Sequence, residues 1–182
     1  MENSFIPPIM YSGIYIVLVA LISISQIAGF NINRKNPNNR ITYVIICLFF
    51  IIFLGTRPIS PVFADMPLYK GLYDRWDGTF EFNWENFNLL FDNLELYLAS
   101  IRFDPTLHYI MFAAIYFICI LLACKKLFPN HITLAFICYC ARFSTFSYCV
   151  NGYKAGSAAV LFLIALAYRD NLKISIPFVL MR

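Results

Sequence analysis

Three cations stand where this chain has least reason to carry charge: Arg57, Arg142 and Lys154. Arg57 closes an apolar run in Phe53-Leu54-Gly55-Thr56-Arg57-Pro58, and Pro58 restrains the backbone beside it. A guanidinium there either snorkels to headgroup phosphates or forks onto a phosphate or pyrophosphate group. Arg142 falls near the middle of the apolar run Ile132–Val150. An ionised group at that depth is costly. It faces a bundle interior or watery cavity, pairs with an acid such as Asp65, or snorkels from a run that is really shorter. Lys154 follows the turn signal Asn151-Gly152 and opens another apolar run. The free N–H groups of a helix start attract anions there as well. The three cations could converge on one anionic site, or each could be an ordinary interfacial charge.

The acids are concentrated too. Asp65, Asp74, Asp77, Glu81, Glu85, Asp92, Glu95 and Asp104 all fall in residues 56–106, leaving only Glu2 and Asp170 outside. Most of these read as the solvated side of short helices. His108 lies beside Tyr109, close to Asp104. It reads as a boundary residue or a general base. The six cysteines all sit in apolar runs and read as buried thiols. Cys138 and Cys140 would point to different sides of a helix, so no metal site or disulfide framework is expected. No Gly-rich nucleotide loop, nucleophile elbow or zinc signature occurs.

These residues need elements to hold them, and composition says which. The 182 residues are 60% hydrophobic, 18% aromatic and 13% charged. Soluble chains carry roughly 25% charged residues. The expected fold class is therefore all-α, a polytopic membrane helix bundle forming one integral-membrane domain over 1–182. The apolar runs are Ile9–Phe30, Ile41–Gly55, Leu107–Ala123, Ile132–Val150 and Ala155–Tyr168, with a sixth starting at Ile174. That predicts about five complete spans and a truncated sixth, and the sequence reads as a fragment of a longer protein. The first run reads as a retained anchor, since Met1-Glu2-Asn3-Ser4 lacks the charge of a secretory signal.

Basic residues in the short connections set orientation. Arg34, Lys35 and Arg40, then Lys125 and Lys126, then Arg169 and Lys173 alternate as cytoplasmic loops. The acidic loop over 56–106 then lies outside. The net charge of +4 is mostly this bias and points to no nucleic acid. Within the loop, Asp65–Trp76 predicts a short helix capped by Asp65, with Pro67 in its first turn. Leu68 and Leu72, and Tyr69 and Tyr73, pair along it. Phe87, Leu90, Phe91, Leu94, Leu98 and Ile101 make the stripe of an amphipathic helix near 85–101. Asn86, Asn88, Asp92, Asn93 and Glu95 fall off that stripe. Such a helix either packs on its own protein or serves as a lid at a lipid-side opening.

The sequence resembles the EpsG-like branch of the Wzy-type polysaccharide polymerases. The resemblance rests on Phe53-Leu54-Gly55-Thr56-Arg57-Pro58 followed by Asp65, Tyr69 and Tyr73, and on Asn151-Gly152-Tyr153-Lys154 with Ala158. The second segment departs from the family pattern: Lys154 and Ala155 stand where the family has Arg and Gln. The family is also longer, with later helices that begin near a Phe-His pair.

The resemblance implies a membrane glycosyltransferase that joins polyprenyl-diphosphate-linked oligosaccharide repeat units into exopolysaccharide, capsule or O-antigen. It implies a place in the bacterial cytoplasmic membrane, with the acidic loop outside, among membrane lipids and other export components. No nucleotide sugar, metal or cofactor is implied. Arg57 and Lys154, with Arg142 as a further candidate, would hold the diphosphate, and Asn151 belongs to the same set. Asp65 would orient or deprotonate the acceptor hydroxyl, and Tyr69 and Tyr73 would stack on sugar. The competing readings are a polysaccharide acyltransferase, a lipid-linked sugar transporter or flippase subunit, and an inactive remnant.

Overall fold

The structure, a computed structural model, describes residues 6–32, 40–86, 88–171, 173 and 175–177. Arg34, Lys35, Phe87, Ile174 and the segment Met1–Ser4 lie outside the described residues. Among those described, every regular element is a helix. A short 3-10 turn at Pro8–Met10 leads into α1 (Tyr11–Ile32) and α2 (Arg40–Gly55). The loop carries α3 (Asp65–Arg75) and α4 (Leu89–Ser100). Then come α5 (Pro105–Leu127), α6 (Ile132–Cys140), α7 (Phe143–Val150) and α8 (Tyr153–Ala167).

Helix α5 is the central post. Pro105 occupies its first turn, and Asp104 caps it by accepting from Leu107 N. Tyr109, Phe117 and Ile120 are fully buried, with α2 and α8 packed against the helix. Small residues permit the close crossings. A Cβ added at Gly55 would lie 2.8 Å from Ile110 Cα, so α2 meets α5 there without a side chain between them. Gly156 does the same for α8, where an added Cβ would lie 2.8 Å from the Tyr148 carbonyl oxygen. The outer faces expose Ile16, Leu21, Ile45, Ile52 and Phe162, as a lipid-solvated bundle requires.

Among the described residues, the expectation of five complete spans is met only in part. Pro8–Ala28 and Pro105–Leu127 are long and apolar enough to cross a bilayer. The run Ile132–Val150 is not one helix: α6 and α7 meet at a 70° bend, and they make a third candidate only if taken as one broken span. Ile41–Gly55 and Tyr153–Ala167 are apolar but shorter. The bend has a local cause. Arg142 adopts an extended backbone, φ −70° and ψ 133°. Freed carbonyls at the end of α6 find hydroxyl donors: Thr145 Oγ1 donates to Tyr139 O at 2.8 Å, and Tyr15 Oη to Cys140 O at 2.6 Å. Without such partners a break in hydrocarbon would leave backbone groups unpaired.

The two ends of the bundle differ in chemistry. Lys126 Nζ lies 5.6 Å from the Tyr168 ring centre, so the ends of α5 and α8 share the basic end. The loop helices cover the other end. Helix α3 matches its expected span, but Ala64 is the cap residue and Asp65 the first helical position. Helix α4 starts at Leu89 rather than 85, because Asn83 Oδ1 holds Glu85 N in a turn at 2.9 Å. Its apolar stripe divides: Leu98 is buried and Phe91 half-buried, whereas Leu90, Leu94 and Ile101 are exposed, and the off-stripe Asn93 and Glu95 are each 3% exposed. Of the six cysteines, Cys138 is exposed, against the expectation of burial.

Candidate functional site

Arg57 leaves α2 and turns back under the loop helices, where it is 2% exposed. Its Nη1 donates to the Leu54 carbonyl. Its Nη2 donates to Cys149 O at 3.2 Å, to Val150 O at 3.1 Å and to the Tyr153 hydroxyl. The cation therefore closes the C-terminal end of α7, where carbonyls lack helical partners and the helix dipole is negative. The rings of Phe63, Tyr109 and Tyr153 surround the guanidinium at 5.5, 5.8 and 5.7 Å. Its Nε has no partner.

Tyr153 links this cation to a second group of polar side chains. Its ring stacks on Tyr109 at 5.7 Å and lies 5.6 Å from Tyr69 and 6.1 Å from His108. Tyr109 in turn donates to Met66 O at 2.7 Å, which pins α3 to α5. His108 is fully buried, and its Nδ1 lies 2.6 Å from the Tyr73 hydroxyl. Tyr73 also donates to Glu95 Oε2 at 2.9 Å. Three elements thus supply one buried cluster: Tyr73 from α3, Glu95 from α4 and His108 from α5.

The electrostatics follow from burial. Glu95 is raised to about 7, because its carboxylate loses water; the Tyr73 hydrogen bond and the Lys154 charge oppose this, and Asp92 adds to it. The phenols of Tyr69 and Tyr73 are pushed up by the same burial and by the Glu95 charge. Asp65, half-buried on the first turn of α3, is raised by desolvation and opposed by Lys154.

The residues singled out from sequence separate into groups. Arg57, Tyr69 and Tyr73 join one contiguous cluster. Asn151 stands next to Val150, whose carbonyl Arg57 holds, and its buried Oδ1 has no partner. Lys154 is adjacent to Tyr153 but turns to α4, pairing with Asp92 at 2.5 Å with Nζ 5.3 Å from the Phe91 ring centre. Tyr73 has a covered ring, and its hydroxyl is its engaged group, unlike the expected sugar-stacking face.

Arg142 does not join the cluster. It is exposed at the α6–α7 bend, 5.0 Å from the Tyr139 ring centre, beside a groove of about 490 Å³ lined also by Leu127, His131 and Leu163. The bend turns it outward, so it meets neither Asp65 nor Arg57. Sequence reasoning missed Tyr153 and Tyr109, and it set aside Glu95 and His108. One signal pointed to Glu95: Leu94-Glu95-Leu96 places a carboxylate between two large apolar residues.

Residues 40–181 match the family model described as the EpsG family. The chain belongs to the EpsG family. The matched stretch runs from α2 through α8 and contains every residue of the cluster. This EpsG-family chain is an all-helical, membrane-embedded protein related to polysaccharide biosynthesis. No curated protein and no solved structure matches it significantly.

Proposed function

We propose that this EpsG-family protein is a polysaccharide polymerase. Its substrates are polyprenyl-diphosphate-linked oligosaccharide repeat units, which it joins into exopolysaccharide, capsule or O-antigen at the outer side of the bacterial cytoplasmic membrane. The observation that carries the reading is Arg57: a buried cation walled by Phe63, Tyr109 and Tyr153, directly beneath a polar cluster at the loop-covered end. Polymerisation by this chemistry needs both parts at once.

A hydroxyl of one unit attacks the anomeric carbon of another. The carbon–oxygen bond to diphosphate breaks, and its electron pair stays on the diphosphate. A fixed cation stabilises that developing charge more than it stabilises the bound substrate, which is the condition for lowering a barrier. Arg57 supplies the charge, its unpartnered Nε supplies a donor, and Asn151 follows the Val150 carbonyl that Arg57 holds. Lys154, next to Tyr153 in sequence, pairs with Asp92 and would have to leave it to reach the diphosphate. Tyr69, half-buried at the edge of the cluster, offers a ring to a sugar face, and Asp65 stands on the same helix to orient the acceptor. Apolar walls keep the interaction strong by excluding water.

The α6–α7 bend favours a second reading, since broken helices are a feature of transporters. One assay separates the two. Full-length protein in liposomes is given lipid-linked repeat units. A polymerase yields chains longer than one unit and frees polyprenyl diphosphate. A transporter moves single units across the bilayer and forms no glycosidic bond, and that result would sink the proposal.

A further inference from the structure

Glu95 Oε1 and His108 Nε2 are both buried, both lack a hydrogen-bond partner, and lie 3.7 Å apart. A structural His–carboxylate pair closes to hydrogen-bond distance, typically about 2.7–2.9 Å when charged. This one is held open by what binds its far side. Tyr73 has a single hydroxyl proton and touches Glu95 Oε2 at 2.9 Å and His108 Nδ1 at 2.6 Å. With the phenol donating to the carboxylate, Nδ1 must carry the imidazole proton and donate to the phenol oxygen. Nε2 is then a bare lone pair, facing a carboxylate oxygen that is also bare. Two buried acceptors with no proton between them are a receptor for a hydroxyl group.

We propose that Glu95 and His108 form the proton-accepting site for the attacking hydroxyl of the acceptor saccharide, with Tyr73 as their positioning residue. This rests on the polymerase reading above. In the step, the acceptor O–H bond breaks and its proton passes to Glu95 Oε1, with His108 Nε2 aligned on the same oxygen. The acceptor oxygen bonds to the anomeric carbon, and the bond from that carbon to diphosphate breaks toward Arg57. The acid and cation sides are joined through Tyr153, whose ring neighbours His108 and whose hydroxyl meets Arg57. Glu95 is carried by α4, which Asp92 ties to Lys154, so the pair stays assembled while that ion pair holds the helix in place. The carboxyl poised at about 7 suits a base working near neutrality. The titratable groups around it are Tyr69 and Tyr73 from α3, His108 and Tyr109 from α5, Lys154 from α8, and Asp92 on α4 itself.

The test is polymer formation from lipid-linked repeat units by full-length protein in liposomes, followed against pH. Wild-type turnover should fall as pH drops through about 7, when Glu95 takes up its proton. Glu95→Gln keeps the shape and the Tyr73 contact but accepts no proton. It should lower turnover by about 100-fold or more, leave KM within about threefold, and lose the acidic limb. Tyr73→Phe removes a donor that favours the carboxylate, so the limb should move to higher pH. A Glu95→Gln enzyme that elutes as a folded species and turns over within about threefold of wild type, or a limb unmoved in Tyr73→Phe, overturns the inference while polymerase activity stands. A wild-type protein that forms no polymer overturns both readings.

Discussion

Arg57 has five N–H donors, and the fold engages two of its nitrogens on carbonyls and a phenol. That changes how its substitution is to be read. Removing the side chain leaves the carbonyls of Cys149 and Val150 without their guanidinium donor at the end of α7. Leaving a buried carbonyl unsatisfied costs about 1–3 kcal/mol. Arg57→Ala should therefore lower the thermal stability of the detergent-solubilised protein as well as abolish long polymer. Arg57→Lys keeps the charge but lacks the fork, so it should recover part of the stability and little of the activity. Melting curves beside chain-length gels check this. Equal stability in all three proteins would contradict the capping geometry. From sequence, Arg57 was visible as a cation at the end of an apolar run, open to either snorkelling or phosphate binding. Its carbonyl partners on α7 lie 92 and 93 residues away and were not visible.

Helix α4 shows how an element's surroundings decide which face it buries. The period of its apolar residues was legible, because a helix repeats every 3.6 residues whatever it packs against. What each side would pack against was not. Leu98 and Phe91 turn to the protein, Leu90, Leu94 and Ile101 face outward, and the polar Asn93 and Glu95 are buried. The helix is held by an ion pair with side chains 42% and 25% exposed. Such partly exposed pairs are worth about 0.5 kcal/mol. Lys154→Ala and Asp92→Ala should each speed amide exchange in α4 while leaving α5 unchanged. Their double mutant should do no more than either alone. Additive acceleration would show that the two residues act separately. The α6–α7 bend carries the same lesson. Its apolar run is continuous in sequence, and the hydroxyls of Tyr15 and Thr145 that stabilise the break come from outside α6.

For the molecule as a whole, the distribution of charge and the packing agree on two unlike ends. The loop helices, Arg57 and Lys154 gather at one, and Lys126 meets Tyr168 at the other. With the acidic loop outside, Glu81→Cys in a Cys138→Ser background should react with an impermeant maleimide in intact cells. Asp170→Cys should react only after permeabilisation. The reverse pattern would invert the orientation, and with it the side on which polymer forms. The sequence by itself determined the class of structure: so little charge in 182 residues requires a lipid-solvated helical bundle. It also singled out Arg57 as a candidate and predicted the helix that begins at Asp65. Those are local or compositional facts, set by hydrophobicity and backbone preference. Only the tertiary structure decided which polar groups meet. Tyr73, Glu95 and His108 come from three helices separated by 22 and 35 residues. Their cluster exists because α3 and α4 fold down on the start of α5, and no spacing within one element encodes that contact. The same folding turned Arg142 away at the bend and pointed Lys154 at Asp92.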